Sequence, residues 1–330
     1  MKILYALQAT GNGHLARANV LIPKLQEFLP VDVLVSGTNA QLKGTFEYKK
    51  YQGISLFYSG NGGLDFMKIV QKNSFSTFAK NIRRCKIKDY SLVINDFEPI
   101  TAWASKLQNV PTLALSHQWA VKHTSSPKPK QNDFFAQIIL EKYAPSREGI
   151  GFHFKSYHSS IYLPLLREQI VAQKSSYDHY YLVYLPSYHH DELISFFQRF
   201  PSTRFVIFSP MTKTSFSNSQ IEVRPIDGDL FIEKLLHCEG VICNAGFELP
   251  SEALYLKKKL YVIPIAKQYE QLCNYTALKK MGVDGNLHLD QAEIASWLKK
   301  NAITNFSWED QTDKVIGKVL QTISKLPTIR

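Results

Sequence analysis

Short apolar runs alternate with amphipathic stretches along the whole chain of 330 residues. Lys2–Gln8, Val31–Ser36, Ile54–Tyr58, Leu92–Asn95 and Thr112–Ser116 are brief, apolar and bounded by Gly, Pro, Asn or Asp, the pattern of strands buried on both faces of a parallel sheet. Between them lie helical stretches at His14–Leu29, Pro99–Leu107 and Phe134–Lys142. In the first of these, Leu15, Ala18, Leu21, Ile22 and Leu25 share one face. The second half repeats the scheme. Strands are predicted at Tyr181–Leu185, Arg204–Phe208, Ile221–Arg224, Gly240–Cys243 and Leu260–Pro264, and helices at His189–Phe200, Asp229–His237, Glu248–Leu256 and Gln268–Met281. Such alternation predicts an α/β protein of two Rossmann-like, doubly wound domains facing a cleft. The boundaries fall at residues 1–165 and 166–310, with a linker within Ile161–Ser176. Residues 311–330 form a terminal helix that could cross back over the linker.

Composition narrows the class. Hydrophobic residues make up 45% and charged residues 20%, enough apolar content for two ordinary cores and too little charge for a disordered polymer. No apolar run reaches the roughly 18 residues that cross a bilayer. The opening MKILYALQAT lacks a secretory leader's apolar core and cleavage site. Cys85, Cys238, Cys243 and Cys273 form no CxxC pair, so neither a zinc knuckle nor a disulfide framework is signalled. A cytoplasmic protein is the expectation.

Charge adds one asymmetry. Of the net +11, residues 1–165 carry +10 (20 Lys and Arg against 10 Asp and Glu) and residues 166–330 only +1. Basic residues gather at Lys80, Arg83, Arg84, Lys86 and Lys88 and again between Lys122 and Lys130. This field suits phosphates, acidic glycans or an anionic membrane surface, or merely keeps the protein in solution. No interleaved aromatic–basic strand or recognition helix accompanies it, so nucleic acid is not expected.

In open parallel sheets, ligands bind beyond the carboxyl ends of strands, and five polar clusters stand there. Gly11, Asn12, Gly13 and His14 follow the first strand and open a helix, where glycines let a ligand approach and the helix N-terminus favours an anion. Ala16 stands where a dinucleotide fingerprint needs Gly, and no acidic residue closes the second strand, so NAD is not expected. Asp96, ending the fourth strand, could cap a helix or orient an imidazole. His117 follows the fifth strand on the same edge. In the second half, Gly246 opens a helix fit to hold a diphosphate, and Glu252 lies six residues further on, a carboxylate able to take two hydrogen bonds from a vicinal diol. Glu270 and Gln271, with Asn274 beyond, group polar side chains at a strand–helix junction suited to sugar hydroxyls.

These motifs in this order, LQATGNGHLARA, VINDFEP, SHQ, ICNAGFELPSEALYLKKKLYVIPI and YEQLCNYTAL, resemble the GT-B glycosyltransferases, and more narrowly the MurG-like group. The resemblance spans nearly the whole chain. It implies an acceptor held by the first domain, a nucleotide-sugar donor held mainly by the second, and no bound metal or other cofactor. By position, Gly246 matches the glycine at the donor diphosphate, Glu252 the ribose carboxylate, and Glu270 and Gln271 the sugar-hydroxyl ligands. Ser187 falls at a phosphate contact and Pro225 to Gly228 where the base is read. Asn12 stands where a longer glycine-rich stretch is usual, and Tyr188-His189-His190 replaces a glycine-rich turn. The function expected is transfer of a sugar from a nucleoside diphosphate, UDP foremost, to a hydroxyl of a glycan or lipid-linked acceptor, with inversion. His14 would be the base, Asp96 its orienter, and Gly11, Asn12, Gly13 and His117 the acceptor side. A UDP-sugar 2-epimerase and a non-catalytic nucleotide or glycan binder are the alternatives.

Overall fold

A computed structural model describes residues 1–8, 12–37, 46–51, 74–130, 133–301 and 306–326. The expected strand Ile54–Tyr58 and Gly11 lie outside these, as does the side chain of Asn12. The first sheet takes its strands in the order β3 (Lys49–Tyr51), β2 (Val31–Ser36), β1 (Ile3–Gln8), β4 (Leu92–Asp96), β5 (Thr112–Ser116), β6 (Glu148–Phe152) and β7 (Ile161–Tyr162), all parallel. Both faces are apolar, as parallel sheets require. Ile3, Tyr5 and Leu7 point into one core with Leu15, Leu21 and Leu25 of helix α1 (Asn12–Gln26). Leu4 and Ala6 point the other way, against Ile82 of α2 (Phe75–Arg84) and Ile100 and Ala104 of α3 (Pro99–Gln108).

The second sheet runs β10 (Phe216–Ser217), β11 (Ile221–Pro225), β9 (Arg204–Ser209), β8 (Tyr180–Tyr184), β12 (Gly240–Asn244), β13 (Lys259–Ile263) and β14 (Asp284–Gly285), with only β10 antiparallel. Counting parallel strands alone, the central order third-second-first-fourth-fifth is the same in both sheets, so each has its topological switch point beside its first strand. The helices after those strands are α4 (His117–Lys122), α5 (Phe134–Lys142), the short α6 (Glu168–Val171), α7 (His190–Phe197), α8 (Gly228–His237), α9 (Glu248–Tyr255), α10 (Tyr269–Lys280), α11 (Gln291–Lys299) and α12 (Thr312–Ser324). The terminal helix α12 packs on α1 of the first half. Its lead-in is tied to the linker: the Trp308 indole donates to the Pro164 carbonyl at 2.7 Å, and Gln311 accepts from the Leu163 N–H at 2.9 Å.

Strand β6, absent from the sequence expectations, owes its weak pattern to two glycines. A Cβ at Gly149 would collide with the Trp119 ring, and one at Gly151 with the Ala120 backbone, so α4 lies directly on this strand. The turn after β4 is equally determined. Phe97 adopts a left-handed φ of 56°, uncommon for a bulky residue, and Asn95 ties the turn down through Glu98 and Thr101. The cap of α3 belongs to Glu98, whose carboxylate accepts from the Ile100 and Thr101 N–H groups. Asp96 is thereby released from capping and left at the strand tip.

Candidate active site

His14 sits in the first turns of α1, beyond the end of β1, and Asp96 ends the neighbouring β4. Both are buried, and the Asp96 Oδ1 lies 2.7 Å from the His14 Nδ1. A carboxylate can only accept there, so Nδ1 carries the proton and Nε2 remains as the basic nitrogen. Among the described residues Nε2 has no hydrogen-bond partner.

Arg17, one turn further along α1, was not singled out in the sequence, although its i+3 spacing places it beside His14. Its Nε donates to Asp96 Oδ2 and its Nη2 to Asp96 Oδ1, both at 2.9 Å. Its Nη1 reaches Glu248 Oε1 of the second domain at 3.3 Å, and its guanidinium lies 5.4 Å from the Phe152 ring centre. Burial alone would raise the Asp96 carboxyl, but Arg17 and His14 outweigh it and hold it below the usual range, so Asp96 stays ionised.

A cleft of about 730 Å³ opens between the domains. Gly13 and Ala16 form one side, and Asn244, Gly246, Glu248 and Glu252 line the other. Among the described residues Gly246 has no neighbour within 4 Å of where a Cβ would stand, so its glycine answers no packing need among them and leaves the cleft open. Helix α9 begins two residues on, at Glu248, without a side-chain cap, and Gly246 to Pro250 line the cleft, so its uncapped, positive dipole end lies at the cleft wall. Gly13 is a glycine for a different reason: a Cβ would collide with the Glu248 carboxylate.

The other expected donor residues are more engaged than their spacing suggested. Glu252 is buried, and Arg167 from the linker grips it bidentately, Nε to Oε1 at 2.6 Å and Nη2 to Oε2 at 2.7 Å. Burial raises the Glu252 carboxyl and Arg167 pulls the other way. Both residues line the cleft. The Gln271 Oε1 accepts the Ile265 N–H at 2.9 Å and so shapes the loop after β13, while Glu270 accepts from Gln118 of the first domain at 3.0 Å. The Ser187 hydroxyl donates to Asn244 Oδ1 at 3.2 Å, and Pro186 beside it reaches the cleft. In the loop expected to read the base, Asp227 caps α8, and Ile226 to Asp229 line the cleft.

His117 does not present a free ring to an acceptor. It is buried, with Nδ1 2.8 Å from the Phe152 carbonyl oxygen, Nε2 2.9 Å from Asn274 Oδ1, and its face stacked on Phe247 at 4.0 Å. Asn274 and Phe247 belong to the second domain, so His117 joins the domains. Burial, the largest influence, pushes its pKa down to about 4, with Arg17 acting in the same direction and the Phe152 carbonyl, Glu248 and Asn274 opposing, and buried His153 is lowered too. A base harder to protonate folded than unfolded costs stability as pH falls. Between pH 6.5 and 4 the unfolded chain takes up the proton first, so unfolding free energy should drop by about 3 kcal/mol from His117 alone. Urea unfolding at pH 7, 5.5 and 4 should show this slope and its flattening in His117→Gln. Parallel curves for the two proteins would remove His117 from the account.

Among the described residues, one group brings three potential metal ligands within 4.8 Å of one another: His189, His190 and Asp191 at the start of α7. His189 and Asp191 are exposed, and the His189 Nδ1 already accepts the Asp191 N–H in capping α7.

Two parallel-sheet domains with a cleft at their carboxyl edges define the GT-B class of glycosyltransferase. Structural comparison agrees. The Acinetobacter baumannii MurG structure matches with a TM-score of 0.54 at 15% identity, over 97% of this chain and all of that one. Phytolacca americana UGT2, solved with UDP-2-fluoro-glucose and pterostilbene, matches with 0.62 at 11% identity, over 97% and 98% of the two chains. Arabidopsis thaliana UGT89C1, solved with UDP, gives 0.62 at 13% identity, over 98% and 99%. Residues 1–301 match the sequence model of Glycosyl transferase family 1, and the chain belongs to that family. No curated protein matches it.

Proposed function

We propose that this glycosyltransferase moves a sugar from a uridine diphosphate donor to an acceptor hydroxyl, with inversion and without a metal. The observation that carries the reading is the His14–Asp96 dyad, held in the first turn of α1 between the cleft-lining Gly13 and Ala16, together with the open, uncapped start of α9 beside Gly246 on the opposite wall. His14 Nε2 takes the acceptor's proton as its oxygen attacks the anomeric carbon. The bond from that carbon to the diphosphate breaks, and its electron pair leaves with the diphosphate, which the α9 N–H groups and dipole stabilise in place of a cation. One base and one direct displacement give inversion. UDP-bound relatives and the Glu252 position support uridine and a ribose contact. The test is UDP release from a panel of UDP-sugars with and without acceptors, repeated in EDTA, with the product anomer read by NMR. Loss of activity in EDTA, retention of configuration, or isomerised free donor would each overturn a named part.

The acceptor is proposed to be acidic or membrane-held, engaged peripherally. Lys80, Arg83, Arg84, Lys86 and Lys88 are all exposed on and just after α2, beside half-exposed Phe75. The second basic stretch is weaker than its sequence implied: Lys122 lies 3.7 Å over the Trp119 ring and Lys128 donates to the carbonyls of Val121 and His123. No described helix is long and apolar enough to cross a membrane. Each basic residue near an anionic surface contributes about 1 kcal/mol within a Debye length of roughly 8–10 Å. Cosedimentation with anionic vesicles at low salt should therefore fall steeply at moderate salt and vanish in Arg83→Glu/Arg84→Glu. Equal binding to neutral and anionic vesicles would point to a soluble acceptor.

A further inference from the structure

We propose that Arg17 is a positioning residue for the base and that Glu248, arriving from the second domain, completes the base, so that it is fully set only with the domains closed. This rests on the reading of His14 as the base.

In most histidine–carboxylate pairs the carboxylate offsets the imidazolium that forms when the ring accepts a proton. Here Arg17 already claims that charge, forking onto both oxygens of Asp96 at 2.9 Å, one of them the oxygen that holds His14. Asp96 and Arg17 together are neutral. A proton on His14 Nε2 would leave a buried net charge of +1, and such a charge is costly away from water. Glu248 supplies the missing negative charge at 3.3 Å from Arg17 Nη1. It is the one member of the quartet borne by the second domain. Gly13 leaves room for this contact, since a Cβ there would displace the Glu248 carboxylate. The fork also fixes Asp96, and through it the Nδ1–H tautomer that leaves Nε2 basic. Opening the cleft would carry Glu248 away and leave Arg17 and Asp96 neutral together, with no negative charge left over to offset the imidazolium. Proton transfer from the acceptor oxygen to Nε2, as its bond to the anomeric carbon forms and the diphosphate departs, is then disfavoured until donor and acceptor are enclosed.

Other charged or titratable groups face this quartet: Tyr5 of β1 beside Asp96 and Arg17, His117 of α4 near Glu248 and Arg17, Glu270 of α10 near His14, Arg17 and Asp96, and Arg167 of the linker and Glu252 of α9 near Glu248. All are unchanged by the substitutions that follow. Glu248→Gln keeps the shape and removes the charge. It should lower kcat about five- to tenfold, with donor KM within about twofold, and move the acid limb of the kcat profile to lower pH. Gly13→Ala, which pushes the same carboxylate off Arg17, should reproduce the kcat loss with Glu248 intact. Arg17→Lys keeps a charge but not the fork, and 15N spectra of labelled histidine should show mixed His14 tautomers in place of Nδ1–H alone. Unchanged kcat and pH profile in Glu248→Gln, or a rise in donor KM with kcat preserved, would overturn the relay. Failure of the parent reading looks different: His14→Ala itself would then keep its turnover.

Discussion

Replacing His14 by Ala should lower kcat by about 10²–10⁴-fold while the dissociation constant for UDP stays within about twofold. The size is that of general acid–base catalysis, which acts in the transition state. The selectivity follows from geometry: the donor cleft is walled by Gly13 and Ala16 on the α1 side, and by Asn244, Gly246 and Glu248 opposite. His14 turns instead to Asp96. Asp96→Asn is a harsher change than its chemistry suggests. Its amide can donate to Nδ1 and favour the wrong tautomer, and the substitution strips the fully buried Arg17 of its forked partner. A buried cation left without its carboxylate costs about 3–5 kcal/mol, so this variant should lose stability as well as turnover. Steady-state kinetics with isothermal titration of UDP separates the two effects. Near-normal turnover in His14→Ala at saturating acceptor would require another base.

The alternation of elements was legible because strands β1, β2, β4, β5, β8, β9, β12 and β13 are apolar on both faces and closed by turn residues. The meeting of His14 and Asp96 was legible for a topological reason: both follow strands that pair directly, so both land on one carboxyl edge. What the sequence concealed were partners distant in the chain. Arg167 and Glu252 lie 85 residues apart, Arg17 and Glu248 231 apart, and His117 and Asn274 157 apart, and no local period records such pairs. Arg17 had one visible signal, its i+3 spacing from His14. Glu248 had none, since a Glu opening a helix reads equally well as a dipole-complementing surface residue. Gly13 was read as room for a ligand; it lines the cleft, and the Glu248 carboxylate also lies where its Cβ would stand. Strand β6 was lost because Gly149 and Gly151 dilute its apolar pattern, and they stand there to let α4 approach.

The largest stability effect is expected at Arg167 and Glu252. The pair is bidentate, Glu252 buried and Arg167 partly so, with Arg167 reaching from the linker to α9 in the cleft wall. Removing either charge leaves the other unpaired away from water, at a cost of about 3–5 kcal/mol. Arg167→Ala and Glu252→Ala should therefore each unfold at markedly lower urea concentration, and the double substitution should cost less than the sum, because the second removal relieves the orphan left by the first. The same residues decide donor binding. A carboxylate has about four acceptor positions, and Arg167 occupies two, leaving lone pairs for the hydroxyls of a ribose. Glu252→Gln keeps the size and one acceptor oxygen but loses the charge-assisted bonds, so UDP affinity should fall by roughly tenfold to a hundredfold, about 1.5–3 kcal/mol. Arg167→Ala tests whether the pair is structural alone. If Glu252 serves the ribose, removing its competitor should leave UDP affinity in the folded fraction intact or higher even as stability falls. Loss of stability in all three variants with UDP affinity unchanged throughout would leave Glu252 as a strut between linker and helix, and the ribose would have to be held by other residues of the cleft.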